Sequence, residues 1–210
     1  MLNLASKTSD DWSARIQADL APVLVDHAHC EKKAASTAMG LIFKHQDRPE
    51  LCVQLSALAR EELEHFERCI ALLQSRGIAF DRMTPSPYAK RLHGACRSEE
   101  PGKSVDVLLC CGLIEARSCE RMKILSETLP DAELAAFYGE LLASEARHHT
   151  TYVDLACLFE DRPAVMSQLR SLHGLLDDQQ LQIVVSHDAD QRARLVASGA
   201  LGDGLALPAR

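Results

Sequence analysis

A glutamate is followed three residues later by a histidine at two places in this chain. Residues 62–65 read Glu-Leu-Glu-His, and residues 145–148 read Glu-Ala-Arg-His. On an α-helix, such a pair projects from one face about one turn apart, so each pair can hold a metal ion. Two pairs indicate two metal ions. A two-metal site needs further carboxylates, and Glu31 and Glu115 are placed to supply them.

Each of these residues lies on an apolar row with helical spacing. Read at alternating steps of three and four, the rows include Leu24, His27, Glu31 and Ala35; Leu58, Glu62, His65 and Cys69; Cys111, Glu115, Ser118 and Met122; and Leu141, Glu145, His148 and Tyr152. The apolar face of an amphipathic helix packs into the core. One Glu from each of two helices, with Glu-x-x-His from two others, is the ligand set of ferritin-like carboxylate bundles. The sequence therefore predicts an all-α ferritin-like four-helix bundle.

The spacing also places the four carboxylates at one level of the bundle. The midpoint of positions 31 and 62 falls in the turn candidate 46–49, and the midpoint of 115 and 145 is Pro130. At a rise of about 1.5 Å per residue, 15 residues put both levels roughly 23 Å from their turns. Two helical hairpins can then face each other with all the carboxylates near one plane.

Buried carboxylates are costly unless something neutralises them. Two divalent cations would balance four carboxylate charges. The ligands do not distinguish iron from manganese, since both accept Glu and His. They also leave the reaction open: paired ferrous ions can reduce dioxygen and oxidise a C–H bond, but the same set serves iron-oxidising and peroxide-scavenging proteins. A non-enzymatic bundle with vestigial acids would bind no metal.

The chain of 210 residues fits a single domain. A core bundle is predicted over about 19–160, a helical extension over about 163–185, and a flexible tail after about 187. The long helices are predicted over about 20–45, 49–76, 104–129 and 131–159. Prolines and glycines make residues 77–103 a long crossover between helices two and three, with a short helix at 87–93.

No apolar run approaches the roughly 20 residues of a membrane helix, and the N-terminus lacks a signal-peptide core. The eight cysteines form no C-x-x-C pair and are interpreted as reduced thiols, so a cytoplasmic location is expected.

Two further side chains lie near the candidate ligands. His27 lies one turn before Glu31 and is expected either to orient this carboxylate or to be a hydrogen-bonded core histidine. Cys119 lies one turn beyond Glu115, either lining the metal cavity or as a plain core thiol.

Residues 26–36, 61–67, 114–121 and 144–148, which surround the candidate ligands, resemble the MiaE family of di-iron tRNA hydroxylases. The Thr-Pro-Ser-Pro-Tyr-Ala motif at 84–89 is similar too, and the resemblance covers roughly residues 12–185. It implies an oxygen-dependent monooxygenase that hydroxylates the isopentenyl group of 2-methylthio-N6-isopentenyladenosine at position 37 of tRNA. It further implies two iron ions, an external electron donor such as an electron-transfer protein, and the ligands Glu31, Glu62, His65, Glu115, Glu145 and His148.

A tRNA substrate needs a basic surface, yet the formal charge is -7 and the pI is near 5.7. The crossover carries a local excess of positive charge. The anticodon loop is therefore expected to contact the cations in and near it, which are Arg82, Lys90, Arg91, Arg97, Arg117 and Arg121.

Overall fold

Four long helices, of 24 to 27 residues each, form the frame of the molecule. The computed structural model describes residues 4, 7–9, 11–84 and 87–174, and this part is helical without a strand. The helices are α1 (Trp12–Gln17), α2 (Ala21–Lys44), α3 (Pro49–Ser75), α4 (Pro87–Gly94), α5 (Gly102–Thr128), α6 (Ala132–Ala156) and α7 (Arg162–Gly174). The prediction of an all-α fold is confirmed.

Local sequence signals set the ends of the long helices. Pro22 and Pro49 lie in the first turns of α2 and α3, where a missing N–H costs no hydrogen bond. Gly77 follows the end of α3 with a φ of 67°, a conformation that glycine adopts without strain. The Asp131 side chain caps α6 by accepting a hydrogen bond of 3.0 Å from the backbone N–H of Leu134. The predicted boundaries agree with these ends to within about three residues.

The long helices pair as two hairpins, α2 with α3 and α5 with α6, and α3 also packs on α6. Two apolar clusters fill the interior. One contains Leu51, Leu108 and Leu155, and the other contains Leu24, Leu72 and Leu134. Along each long helix the candidate metal ligands lie between residues of one cluster and residues of the other, so a polar layer lies between two apolar ends of the bundle. This arrangement surrounds the polar layer with packed side chains that exclude water.

The crossover is anchored to α5 through a buried charge. Asp106 is fully buried and accepts hydrogen bonds from the Arg97 backbone N–H at 2.8 Å and from its guanidinium at 2.9–3.2 Å. A Cβ on Gly102 would lie 2.7 Å from the guanidinium carbon of Arg97, so glycine at 102 makes room for this ion pair. Leu92 of α4 is buried in the apolar cluster that contains Leu108 of α5. Arg97 therefore has a structural partner inside the protein.

Part of the predicted C-terminal extension forms α7, which packs on α5. Residues 175–185, the tail after about 187, and Pro85 and Ser86 of the 84–89 motif lie outside the described residues. The assignment of the whole chain to one domain therefore stays a prediction. Among the described helices, none combines the length and the apolar character needed to cross a membrane.

Candidate metal centre

The fold brings all six predicted ligands into the buried polar layer. Their metal-binding atoms form two groups in which every atom lies within 4.8 Å of the others. The groups are Glu31, Glu62, His65 and Glu145, and Glu62, Glu115 and His148. All six residues are buried. Because Glu62 belongs to both groups, it is the carboxylate best placed to bridge two ions.

Distances around the two imidazoles define the site. His65 Nδ1 lies 3.5 Å from Glu31 Oε2, 3.9 Å from Glu62 Oε2 and 3.6 Å from Glu145 Oε1. His148 Nδ1 lies 2.8 Å from the other oxygen of Glu62, Oε1. The two carboxylate oxygens of Glu62 thus face different imidazoles, as expected of a bridging ligand.

Several inward-facing atoms lack a hydrogen-bond partner among the described residues. They are Oε1 of Glu62 and of Glu145, and Nδ1 of His65 and of His148. His148 Nδ1 and Glu62 Oε1 are close but are not aligned as a hydrogen bond. Buried polar atoms are normally paired, so unpaired lone pairs that face one space are suited to bind a cation. Carboxylate and imidazole donors suit iron or manganese. The residues present therefore fit two divalent cations.

The pKa shifts of the buried carboxylates also favour bound cations. Burial, together with the charge of the neighbouring Glu31, raises the pKa of Glu62 to about 9. Burial also raises the pKa of Glu115 well above its ordinary value, with Glu145 and Glu62 adding to the effect. The carboxylates thus resist being ionised together in a dry interior. Bound cations would supply the positive charge that lets all four ionise.

His27 contacts one of the candidate carboxylates. Its Nε2 lies 2.6 Å from Glu31 Oε1, and its Nδ1 lies 3.5 Å from Cys69 Sγ. Its ring stacks on Tyr138 with centroids 5.4 Å apart. Burial opposes ionisation of Glu31, but the charge of His27 and the nearby ring nitrogens of His27 and His65 outweigh it and hold the pKa of Glu31 below its ordinary value. His27 thus contacts a candidate ligand and lies in neither group of metal-binding atoms.

Glu61 holds one imidazole in position, a role that the sequence interpretation missed. His148 Nε2 lies 3.1 Å from Glu61 Oε2, and the Arg147 guanidinium donates to the same oxygen at 3.1 Å. A carboxylate at Nε2 fixes the ring so that Nδ1 faces the polar layer. Glu61 lies off the apolar row of α3, and its partners come from α6, so no pattern within α3 could reveal it.

Other predicted site residues lie apart from the two groups. Cys119 is buried, and its thiol donates to the Leu142 carbonyl at 3.7 Å. Burial and then the charge of Glu145 raise the pKa of Cys119. A role in lining the cavity stays a prediction. His149, next to the candidate ligand, donates from Nδ1 to the Gly112 carbonyl at 2.7 Å.

The six cations expected to contact tRNA divide into two sets. Arg82, Lys90 and Arg91 are exposed. The other three have partners inside the protein: Arg97 bonds Asp106 and Glu160, Arg117 is buried and bonds Glu120, and Arg121 lies 5.0 Å from the centre of the Trp12 ring.

Replacing the shared carboxylate tests the site. We expect Glu62→Gln to lower ferrous iron bound under anaerobic conditions from two ions per chain to one or none. Without metal, Glu62→Gln should have a higher melting temperature than the wild type, because the amide replaces a buried acid whose ionisation is costly. Each kcal/mol gained in the free energy of unfolding corresponds to about 2–4 °C. Calorimetry and iron analysis measure both effects. Glu64→Gln is the control, because Glu64 is a nearby exposed residue of the same helix. Two ions retained in Glu62→Gln contradict the assignment.

Glu61 gives a second prediction. Glu61→Ala should weaken metal affinity roughly 10–100-fold, because the His148 ring loses the partner that orients it. Competition with a chelator measures the affinity. Glu61→Gln, whose amide oxygen can still accept from Nε2, should retain most of it. Equal affinities for wild type and Glu61→Ala would show that this contact does not position the ligand.

Comparisons with known proteins identify the family. The family profile described as tRNA-(MS[2]IO[6]A)-hydroxylase (MiaE) matches residues 2–192. A protein of Pseudomonas putida named tRNA 2-(methylsulfanyl)-N(6)-isopentenyladenosine(37) hydroxylase is 44% identical over 158 residues, which cover 75% of this chain and 77% of that protein. A protein of the same name from Salmonella typhimurium is 33% identical over 198 residues, which cover 71% of this chain and 73% of that protein.

A solved structure supports the fold. It is described as "Protein 43 with aldehyde deformylating oxygenase activity from Synechococcus" and superposes with a TM-score of 0.80 at 42% identity, covering 82% of this chain and 86% of that one. The profile match spans nearly the whole sequence, and both relatives exceed 30% identity over more than two thirds of the chain. On this basis, together with the two-part carboxylate and imidazole site, the chain belongs to the MiaE family.

Proposed function

We propose that this chain is an oxygen-dependent di-iron monooxygenase that hydroxylates the isopentenyl group of 2-methylthio-N6-isopentenyladenosine at position 37 of tRNA. The observation that carries the proposal is the double Glu/His site in a chain of the MiaE family. The Pseudomonas and Salmonella relatives are both named for hydroxylation of this nucleoside. The enzyme class and the substrate therefore follow from family and site together.

Glu31, Glu62, His65, Glu115, Glu145 and His148 would hold the two iron ions. When bound, a ferrous pair supplies the activation of dioxygen that hydroxylation of a C–H bond requires. The chain's own residues orient the ligands: His27 contacts Glu31, and Glu61 contacts His148. The apolar clusters on both sides of the layer limit the access of water, which protects a reactive oxidant from side reactions.

The reaction balance supports an external electron donor. Inserting one oxygen atom of O2 into a C–H bond and reducing the other to water consumes two electrons and two protons. The substrate supplies neither electron in this balance. We propose that an electron-transfer protein or a reductase delivers them. A cytoplasmic location, where tRNA and such donors occur, stays a prediction.

For tRNA recognition we propose the exposed cations Arg82, Lys90 and Arg91. They lie in and just before α4, which packs on α5, the helix that carries Glu115. Exposed Lys and Arg side chains bind phosphates and position a nucleic acid without reading its sequence. The modified base would then have to leave its stack to reach a buried centre, as is general for enzymes that act on bases.

The nucleosides of bulk tRNA test the function. In cells that lack the gene, mass spectrometry should show loss of the hydroxylated nucleoside and accumulation of 2-methylthio-N6-isopentenyladenosine. Wild type and the control Glu64→Gln should restore the hydroxylated form, whereas Glu115→Ala should not, because a candidate ligand is lost. An unchanged nucleoside profile on deletion would contradict the proposal.

The similarity to the Synechococcus protein favours a second candidate, oxygen-dependent deformylation of an aldehyde. Purified iron-loaded protein, with a reductant, is offered either a long-chain aldehyde or tRNA that carries the unhydroxylated nucleoside. Hydroxylation of the tRNA without hydrocarbon from the aldehyde supports the first function. Hydrocarbon formation without tRNA hydroxylation supports the second.

Reversing two exposed charges tests the tRNA surface. Lys90→Glu combined with Arg91→Glu should weaken binding of an anticodon stem-loop and reduce the salt dependence of log Kd by about one unit per lost phosphate contact. Fluorescence anisotropy at several salt concentrations measures both. Arg60→Glu is the matched control, because Arg60 is an exposed cation of α3 and does not belong to the proposed tRNA surface. Arg97 is unsuitable, since its reversal would place two carboxylates together at Asp106. Unchanged binding would rule out this surface.

A further inference from the structure

A second cluster of metal-binding side chains lies outside the carboxylate layer. His93 is near the end of α4, Cys96 follows that helix, and Cys110 is in α5. Their donor atoms lie within 4.8 Å of one another, and the two sulfur atoms are 3.5 Å apart. The sequence interpretation treated all eight cysteines as reduced thiols, because most of them lie in helical patterns and none forms a C-x-x-C pair.

The cluster is distinct from the di-metal site. Cys110 precedes Glu115 by five residues, which corresponds to about 7.5 Å along α5 and, at about 100° per residue, a rotation of about 140° around it. Cys110 and the residues around it belong to one apolar cluster of the bundle. The two groups therefore face different directions from the same helix.

The donor set matches a thiophilic cation. Zinc binds thiolates at about 2.3 Å in a tetrahedral arrangement, which puts two sulfur atoms about 3.8 Å apart. The separation of 3.5 Å is close to this value and far above the roughly 2.05 Å of a disulfide bond. Two cysteines and one histidine are a soft set, in contrast with the oxygen-rich layer. Zinc is therefore the cation that these ligands fit best.

The protonation states suit such a site. Partial burial lowers the pKa of His93, so its imidazole is neutral at pH 7 and a ring nitrogen can donate to a metal. Burial raises the pKa of both Cys96 and Cys110, so each thiol keeps its proton until a cation displaces it. The same raised pKa disfavours attack on an oxidant by a free thiolate.

The neighbouring carboxylate is already engaged. The oxygens of Asp106, whose charge acts on Cys96, bond Arg97. Cys110 is buried and Cys96 is half-buried, while His93 is the most exposed of the three. A cation at this position would have three protein ligands and one position open to water, and it would tie the segment after α4 to α5.

We propose that His93, Cys96 and Cys110 bind one zinc ion that fastens the crossover to α5. Binding displaces one proton from each thiol, so two protons are released per zinc ion. The ion would hold the end of α4 close to α5 and so fix the position of the exposed cations Lys90 and Arg91. The ion would join the crossover to α5 and takes no part in the hydroxylation.

The test uses reduced, metal-free, full-length protein titrated with Co²⁺ as a spectroscopic probe. The carboxylate layer also binds Co²⁺, but only sulfur ligands give a thiolate-to-cobalt charge-transfer band. We expect this band in wild type and its loss in Cys96→Ser, with displacement of the band by zinc. Cys52→Ser is the control, because Cys52 is half-buried on α3 and its thiol donates to the His45 carbonyl instead.

Circular dichroism establishes that each variant is folded, and half-buried Cys96 is the safer position to change than buried Cys110. A second measurement is alkylation of Cys96, which bound zinc should slow in wild type and not in His93→Ala. Absence of the charge-transfer band in wild type, or its persistence in Cys96→Ser, overturns the proposal. So does a Cys96–Cys110 disulfide that forms in air in the presence of zinc.

Discussion

The structure depends on placing four carboxylates and two imidazoles in the dry interior of a helical bundle. Burial raises the pKa of three of the carboxylates, and mutual repulsion adds to this effect. Without cations, such a layer opposes folding, because ionised carboxylates are costly to keep together in a dry interior. The apolar clusters on both sides supply the packing that holds the layer together. The candidate metal centre of this chain therefore gains its ligands at the expense of the stability of the metal-free protein.

The contacts around the ligands show how a helical frame can fix a metal site. Helices place the ligand backbones, but side-chain orientation comes from partners on other segments. Glu31 is held by His27 on its own helix, whereas His148 is held by Glu61 on a different one. These contacts direct one oxygen and one ring nitrogen towards the layer. Preorganised ligands of this kind need little rearrangement when ions bind.

The crossover joins the two hairpins and also carries charge. Arg97 compensates buried Asp106, so part of the local positive charge serves the fold. Arg82, Lys90 and Arg91 stay exposed, and these three define the proposed tRNA surface. An acidic protein can bind a polyanion in this way if the cations that remain free are grouped on one side. The proposed zinc site would add a second anchor for the same segment.

The sequence by itself determined the helices, their boundaries and the six candidate ligands. Helical periodicity fixes which residues share a face, and the matched distances from the two turns fix their level, so Glu31, Glu62, Glu115 and Glu145 could be expected in one layer. Only the tertiary structure decided the contacts between segments: Glu61 with His148, Arg97 with Asp106, and Cys96 with Cys110. Such contacts depend on the rotation and axial offset of one helix against another and on the path of the crossover. The periodicity of a single helix carries no information about them.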